Sequence, residues 1–197
     1  MYNIDGQYYS SFLNRDLSMD RDKVCSPLYS TSLAGMRKVL ECFLHSGENV
    51  NAEGGRLGNA LQAASYNGYE LIVKLLLENG AEVNAKGGEY GNALQAASFR
   101  GDEVIVKLLL ENGAEVNAKR GEYGNALQAA AASYQVINKE AIVKLLLENG
   151  ARVNPKGRIY GNALQATYSS QTSPFLKQKL LCCLPFAKGK TGGSHFF

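Results

Sequence analysis

His45 and His195 are the only imidazoles in the 197 residues, and imidazole is the side chain best placed to act as general base or metal ligand at neutral pH. A catalytic triad or a histidine metal site would need a nucleophile or further ligands gathered around one of them. His45 falls on a helix edge otherwise occupied by carboxylates, and His195 lies in a glycine-rich tail, so neither assembles such a constellation. Gly189-Lys190-Thr191 matches the end of a phosphate-binding loop. That motif also asks for a glycine five residues before its Gly-Lys and for a strand-then-helix setting; Leu184 stands at that place, and no such setting surrounds it. Carboxylates flanking a lysine recur as Glu70-Lys74-Glu78, Glu103-Lys107-Glu111 and Glu140-Lys144-Glu148. A site needs one unique constellation, whereas a feature present in every unit is a solvated helix edge, whose pairs add only about 0.2–0.5 kcal/mol each. The expectation is therefore no catalytic residue, no metal site and no cofactor.

The four cysteines, Cys25, Cys42, Cys182 and Cys183, include no Cys-x-x-Cys pair, which fits neither a disulfide framework nor a zinc site. Cys42 reads as a small buried hydrophobe, and Cys182-Cys183 as part of an apolar stripe on a terminal capping helix over Phe175–Leu184. The formal charge is only +3, from 21 basic and 18 acidic residues, so nothing calls for nucleic acid or an acidic membrane as partner. Residues 1–24 lack the apolar core of a signal peptide, and Leu180–Phe186 is too short to span a bilayer. A reducing compartment is expected: the cytoplasm, with the nucleus also compatible.

The elements that would have to position any site are set by repetition. Gly-Asn-Ala-Leu-Gln-Ala begins at Gly58, Gly91, Gly124 and Gly161, spacings of 33, 33 and 37 residues. Residues 58–90 and 91–123 agree at 28 of 33 positions without a gap. A diverged first unit, 25–57, precedes them, with Gly35, Gly47 and Val50-Asn51-Ala52 in register. A fourth spans 124–160, and a partial fifth starts at Gly161 and fades after Thr167. Residues 1–24 form an extension, 168–186 a capping segment, and 187–197 a glycine-rich tail for which disorder is expected.

Within one unit, Asn59 is a good N-cap for a short helix of small residues, Ala60–Ser65, which Asn67-Gly68 breaks. A second helix runs from about Glu70 to Asn79, and Gly80 stops it as a left-handed cap. Its apolar residues, Leu71 to Val73 and Leu75 to Leu77, leave only one polar edge, so burial on most sides is expected, with Leu76 and Leu109 opposite that edge. Val83-Asn84-Ala85 starts like a strand and leads into a hairpin-like loop. The fourth unit has four extra residues, about one helical turn, which would lengthen its first helix through Ala129–Ala132. Asn138 would then cap its second helix. Lys38, where the later units have Leu71, Val104 and Ala141, suggests a first unit whose outer face meets water.

Helix, turn, longer helix, Gly-Ala, Val-Asn-Ala and a glycine-containing loop at period 33 resemble the ankyrin repeat over roughly residues 25–167. The first helix opens with Asn-Ala-Leu-Gln in place of the family's Thr-Pro-Leu-His. Tyr90, Tyr123 and Tyr160 stand at the usual loop glycine, with the glycine one place later. Asn replaces the Thr cap, and Gln retains a hydrogen bond where His would make one. This Gly-Asn-Ala-Leu-Gln form is similar to arrays of filamentous fungi that often follow a NACHT-type NTPase.

The resemblance implies an all-α solenoid of stacked helix-turn-helix units with projecting hairpin loops, monomeric and non-enzymatic. It also implies a protein partner held on the first helices and loop tips. Repeats two and three supply an internal comparison, because duplicated positions that now differ were free of the frame. They differ at Tyr66/Phe99, Asn67/Arg100, Tyr69/Asp102, Leu71/Val104 and Gly87/Arg120. Aromatic and arginine side chains are frequent interface anchors. The expected contacts are Tyr66, Asn67, Phe99 and Arg100 at helix ends and Lys86, Glu89, Arg120, Glu122 and Arg158 in loops, with Tyr134 a possible addition beside the insertion.

Overall fold

The computed structural model describes residues 25–133 and 138–153. Tyr134, Arg158, Tyr160, Cys182, Cys183, Lys190 and His195 lie outside these residues, as do the extension 1–24, the partial repeat from Gly161, the capping segment 168–186 and the tail 187–197. Eight helices occur among the described residues, as four antiparallel pairs: α1 (Pro27–Leu33) with α2 (Arg37–His45), α3 (Ala60–Asn67) with α4 (Glu70–Glu78), α5 (Ala93–Arg100) with α6 (Glu103–Glu111), and α7 (Ala126–Ala132) with α8 (Lys139–Glu148).

The first helix of each later pair starts because an asparagine closes it. Asn59 Oδ1 accepts from the Gln62 amide at 3.0 Å, and Gln62 Oε1 accepts from the Asn59 amide at 2.8 Å. This reciprocal box satisfies two amides that the first turn leaves without partners. Asn92 and Asn125 cap α5 and α7 through Gln95 and Gln128 in the same manner as Asn59 Oδ1, each at 2.8 Å. In α1, Ser26 caps and Pro27 occupies the first turn, where a missing N–H costs nothing. The second helices stop at Asn79 and Asn112, and Gly80 follows at φ +83°.

The first helices form one row and the second helices a second row behind it. Ala60, Ala63, Ala64, Ala93, Ala96 and Ala97 are at most 1% exposed, and these small residues let first helices approach closely. The second row is filled by Ile72, Val73 and Leu76 and by their equivalents up to Leu146. Bulkier side chains fill that row, and neighbouring second helices pack less closely than neighbouring first helices. Leu76, Leu109 and Leu146 are completely buried, while Lys74, Lys107 and Lys144 are exposed on the opposite edge.

Several local expectations need correction. The insertion does not lengthen the first helix of the fourth pair: α7 ends at Ala132, and Ser133 leaves the helix at ψ 139°. Asn138 occupies the N-cap position of α8, as expected, but its side chain makes no capping bond, its Nδ2 donating instead to the Gly101 carbonyl at 3.4 Å. Val83 and Asn84 sit in a turn, not a strand. Leu71 and Val104 are 62% and 54% exposed, because they lie on the same edge as Lys74 and Glu78 or Lys107 and Glu111, three and seven residues further on. Cys42 is exposed as well. Among the described residues the one buried charged side chain is Lys139, whose Nζ donates to the Ala131 carbonyl at 3.1 Å.

Candidate functional site

The loops leaving α2, α4 and α6 each fold back as a tight hairpin and rest on the next unit. Single antiparallel bridges close the loops at Glu53–Asn59, Gly87–Gly91 and Arg120–Gly124. Successive tips are joined by main-chain bonds, Glu89 N–H to Arg56 O and Glu122 N–H to Glu89 O, both 3.0 Å. Gly88 makes this approach possible: its φ is +63°, and a Cβ there would lie 2.2 Å from the Leu57 carbonyl oxygen. Gly121 repeats the arrangement against Tyr90.

Side chains fasten the loops from below and from behind. Gln62 Nε2 donates to the Ala85 and Gly87 carbonyls, and Gln95 Nε2 to those of Ala118 and Gly124. The Gln thus retains the hydrogen bond expected of it. In the first unit Tyr29 takes the place of Gln, its hydroxyl accepting from the Leu57 amide at 3.3 Å and its ring lying against Gly54 and Gly55. Behind the loops, Asn51, Asn84 and Asn117 each reach into the following unit. Asn84 donates to the Gly113 carbonyl at 3.0 Å and accepts from the Glu115 amide at 2.8 Å. Asn51 makes the corresponding bonds to Gly80 and Glu82, and Asn117 to Gly150 and Arg152.

Between the loops and the first helices runs a file of aromatic rings. Tyr66 and Phe99 come from the ends of α3 and α5, Tyr90 and Tyr123 from the loops. Ring centroids are 4.9 Å apart for Tyr66–Tyr90, 5.1 Å for Tyr90–Phe99 and 4.8 Å for Phe99–Tyr123. These are favourable aromatic spacings. Tyr90 is buried, and burial with the Tyr66 hydroxyl beside it pushes its phenol above the ordinary value, so it stays neutral. Tyr66, Phe99 and Tyr123 are half-buried, each keeping part of its ring open.

A family model described as ankyrin repeats (3 copies) matches residues 87–157, and one described as ankyrin repeats (many copies) matches residues 61–110. Residues 61–157 are ankyrin repeats. A search of curated proteins finds no match to the chain. Ankyrin repeats are in general protein–protein interaction modules. Among the described residues of this ankyrin array no three His, Cys, Asp or Glu are grouped so as to hold a metal, and no described helix is long and apolar enough to cross a membrane.

The array distributes the expected contact residues over two places. Tyr66 and Phe99 belong to the aromatic file, and Lys86, Glu89, Arg120 and Glu122 to the loops above it. Arg120 also lines a shallow cleft with Gly87, Gly88 and Lys119 between neighbouring loops. Glu89 is half-buried and paired with Arg56 of the preceding loop. Asn67 and Arg100 lie instead at the helix–helix turns. Asn67 Nδ2 donates to the Leu33 and Ala63 carbonyls, whereas exposed Arg100 lines a cleft of about 690 Å³ with Asp102 and Lys107. Divergence between copies therefore did not always mark freedom from the frame. Asp102 Oδ1 caps α6 by accepting from the Ile105 amide, and the Tyr69 ring packs over Gly35.

Tyr90 and Tyr123 were missed as site residues because their sequence position makes them loop residues displacing a glycine. Their recurrence at the same 33-residue interval as Tyr66 and Phe99 was the available signal.

Proposed function

We propose that this array is a non-enzymatic, intracellular and monomeric module that binds a protein partner across its concave face and loop tips. The observation that carries the reading is the aromatic file, whose half-open rings are held between first helices and loops. Tyr66, Phe99 and Tyr123 supply apolar contact area. Lys86, Glu89, Arg120, Glu122 and Arg158 set the orientation of the guest through mixed charge. Asn67 and Arg100 flank the surface at the far ends of the first helices. Nucleic acid and membrane have no part in this reading.

The Gly-Asn-Ala-Leu-Gln form of the repeat favours a second reading, in which the array is the ligand-sensing part of a larger NACHT-type NTPase; sequencing upstream in the same gene tests it, and finding an NTPase-coding region there would support it. The principal reading is tested by affinity capture from the source cell, with the unaltered chain and the Phe99→Ala, Arg120→Ala double variant as baits. Proteins retained by the first and lost from the second, at equal bait stability, support the concave surface. An identical captured set speaks against it.

A further inference from the structure

The described array begins with a unit that has no described neighbour on one side, and that side is apolar. Val39 occupies the position of Ile72, Ile105 and Ile142, and Phe43 that of Leu76, Leu109 and Leu146. Those six later residues are at most 2% exposed, whereas Val39 is 43% exposed. Phe43 is only partly buried. Met36, 54% exposed, and Cys42, also exposed, extend the patch. Positions 36, 39 and 43 follow helical spacing, so they form one stripe along α2. A terminal unit facing water carries a polar outer face, and this one does not. Lys38, which suggested such a face, belongs to a column exposed in later units too, as Leu71 and Val104 show.

We propose that residues 1–24 of the same chain dock on this stripe and serve as the missing neighbour. Three observations favour that occupant. First, α2 has nine residues, and four side chains are far fewer than the roughly 20–30 residues a side that a specific interface between separate proteins uses. A tethered segment needs less, because its effective concentration is on the order of millimolar. Second, the segment joins the array at Cys25, two residues before α1 of the same unit. Twenty-four residues reach about 36 Å even when wholly helical, well beyond the length of α2. Third, Tyr8, Tyr9, Phe12, Leu13 and Leu17 recur at intervals of three and four, as an apolar helix stripe requires. Residues 1–24 carry Asp5, Asp16, Asp20 and Asp22 against Arg15, Arg21 and Lys23, a net charge of −1, while α2 carries Arg37 and Lys38 against Glu41, a net charge of +1. This docking is independent of how the concave face is used.

Cys42 reports on the stripe directly. Iodoacetamide alkylation followed by peptide-resolved mass spectrometry compares the full chain with the full chain carrying Phe12→Asp and Leu13→Asp, and with a chain lacking residues 1–24. Helical circular dichroism verifies that each form is folded. Docking makes Cys42 roughly tenfold slower to react in the unaltered chain than in either variant, the protection expected of a ten-to-one docked population. Equal rates in all three overturn the proposal. Protection that survives the deletion and grows with protein concentration overturns it as well, assigning the stripe to a second copy.

Discussion

Lys139 stands where Tyr69 and Asp102 stand in the two preceding units. Burial lowers the pKa of its ammonium from the ordinary 10.5 to about 8. Between those values the folded chain binds fewer protons at this site than the unfolded chain. The cost to stability is therefore full below pH 8 and is relieved as pH rises toward 10.5. Lys139→Met is expected to melt at a higher temperature than the unaltered chain at pH 7, with the difference shrinking as pH climbs through that window. Unfolding curves of both proteins at stepped pH measure it, and a constant difference would contradict the assignment. Asn84 has the opposite character: its amide joins two units by a pair of hydrogen bonds, at 3.0 and 2.8 Å. Removing both in Asn84→Ala is expected to cost about 1–3 kcal/mol in denaturant unfolding, from about 0.5–1.5 kcal/mol per bond. Alanine at exposed Lys86, in the same loop, gives the surface comparison.

At the scale of the element, the second helices separate structure from surface within a few residues. Leu76 and Leu109 are wholly buried, while Lys74 is exposed on the other edge. Leu76→Ala or Leu109→Ala is expected to cost ~2–5 kcal/mol, and Lys74→Ala well under about 1 kcal/mol, in urea unfolding; equal costs would mean that the helix faces the other way. Most helix limits were legible in the sequence because local chemistry writes them: Asn caps, Gly stops, and a polar edge repeated every four residues. The end of α7 was not, since four consecutive alanines are compatible with a longer helix and only the path to α8 decides where it stops. Leu71, Val104 and Cys42 were misread for a related reason. An apolar side chain records its own preference for burial, but the cover it finds depends on neighbouring rows that hydropathy does not describe. The loops were legible as loops, and their fastening was not. Nothing local tells that the Asn51, Asn84 and Asn117 side chains bond to residues about thirty positions ahead.

For the whole molecule, the proposed binding face of first helices and loops acts as one surface only if its pieces are tied together, and the tip-to-tip main-chain bonds and the aromatic file join neighbouring units. Once a partner is found, the double change Phe99→Ala with Arg120→Ala is expected to weaken binding by more than ~1.4 kcal/mol, a tenfold change, with little effect on melting. Lys107→Ala should leave affinity nearly unchanged, because Lys107 lies on the exposed edge of α6, in the row of second helices behind the first helices. Calorimetry on the three proteins decides, and loss through Lys107 alone would move the site to the opposite side. The boundary between units has a further consequence for how such a chain can change over generations. Between the first three units the Asn51 and Asn84 side chains bond to residues 29 and 31 places later, and the loop tips bond at a separation of 33, so these offsets recur from unit to unit. A tandem duplication of coding sequence one unit long would therefore meet matching fastenings on both sides, and the array could grow, or shrink again, without any existing joint having to be redesigned.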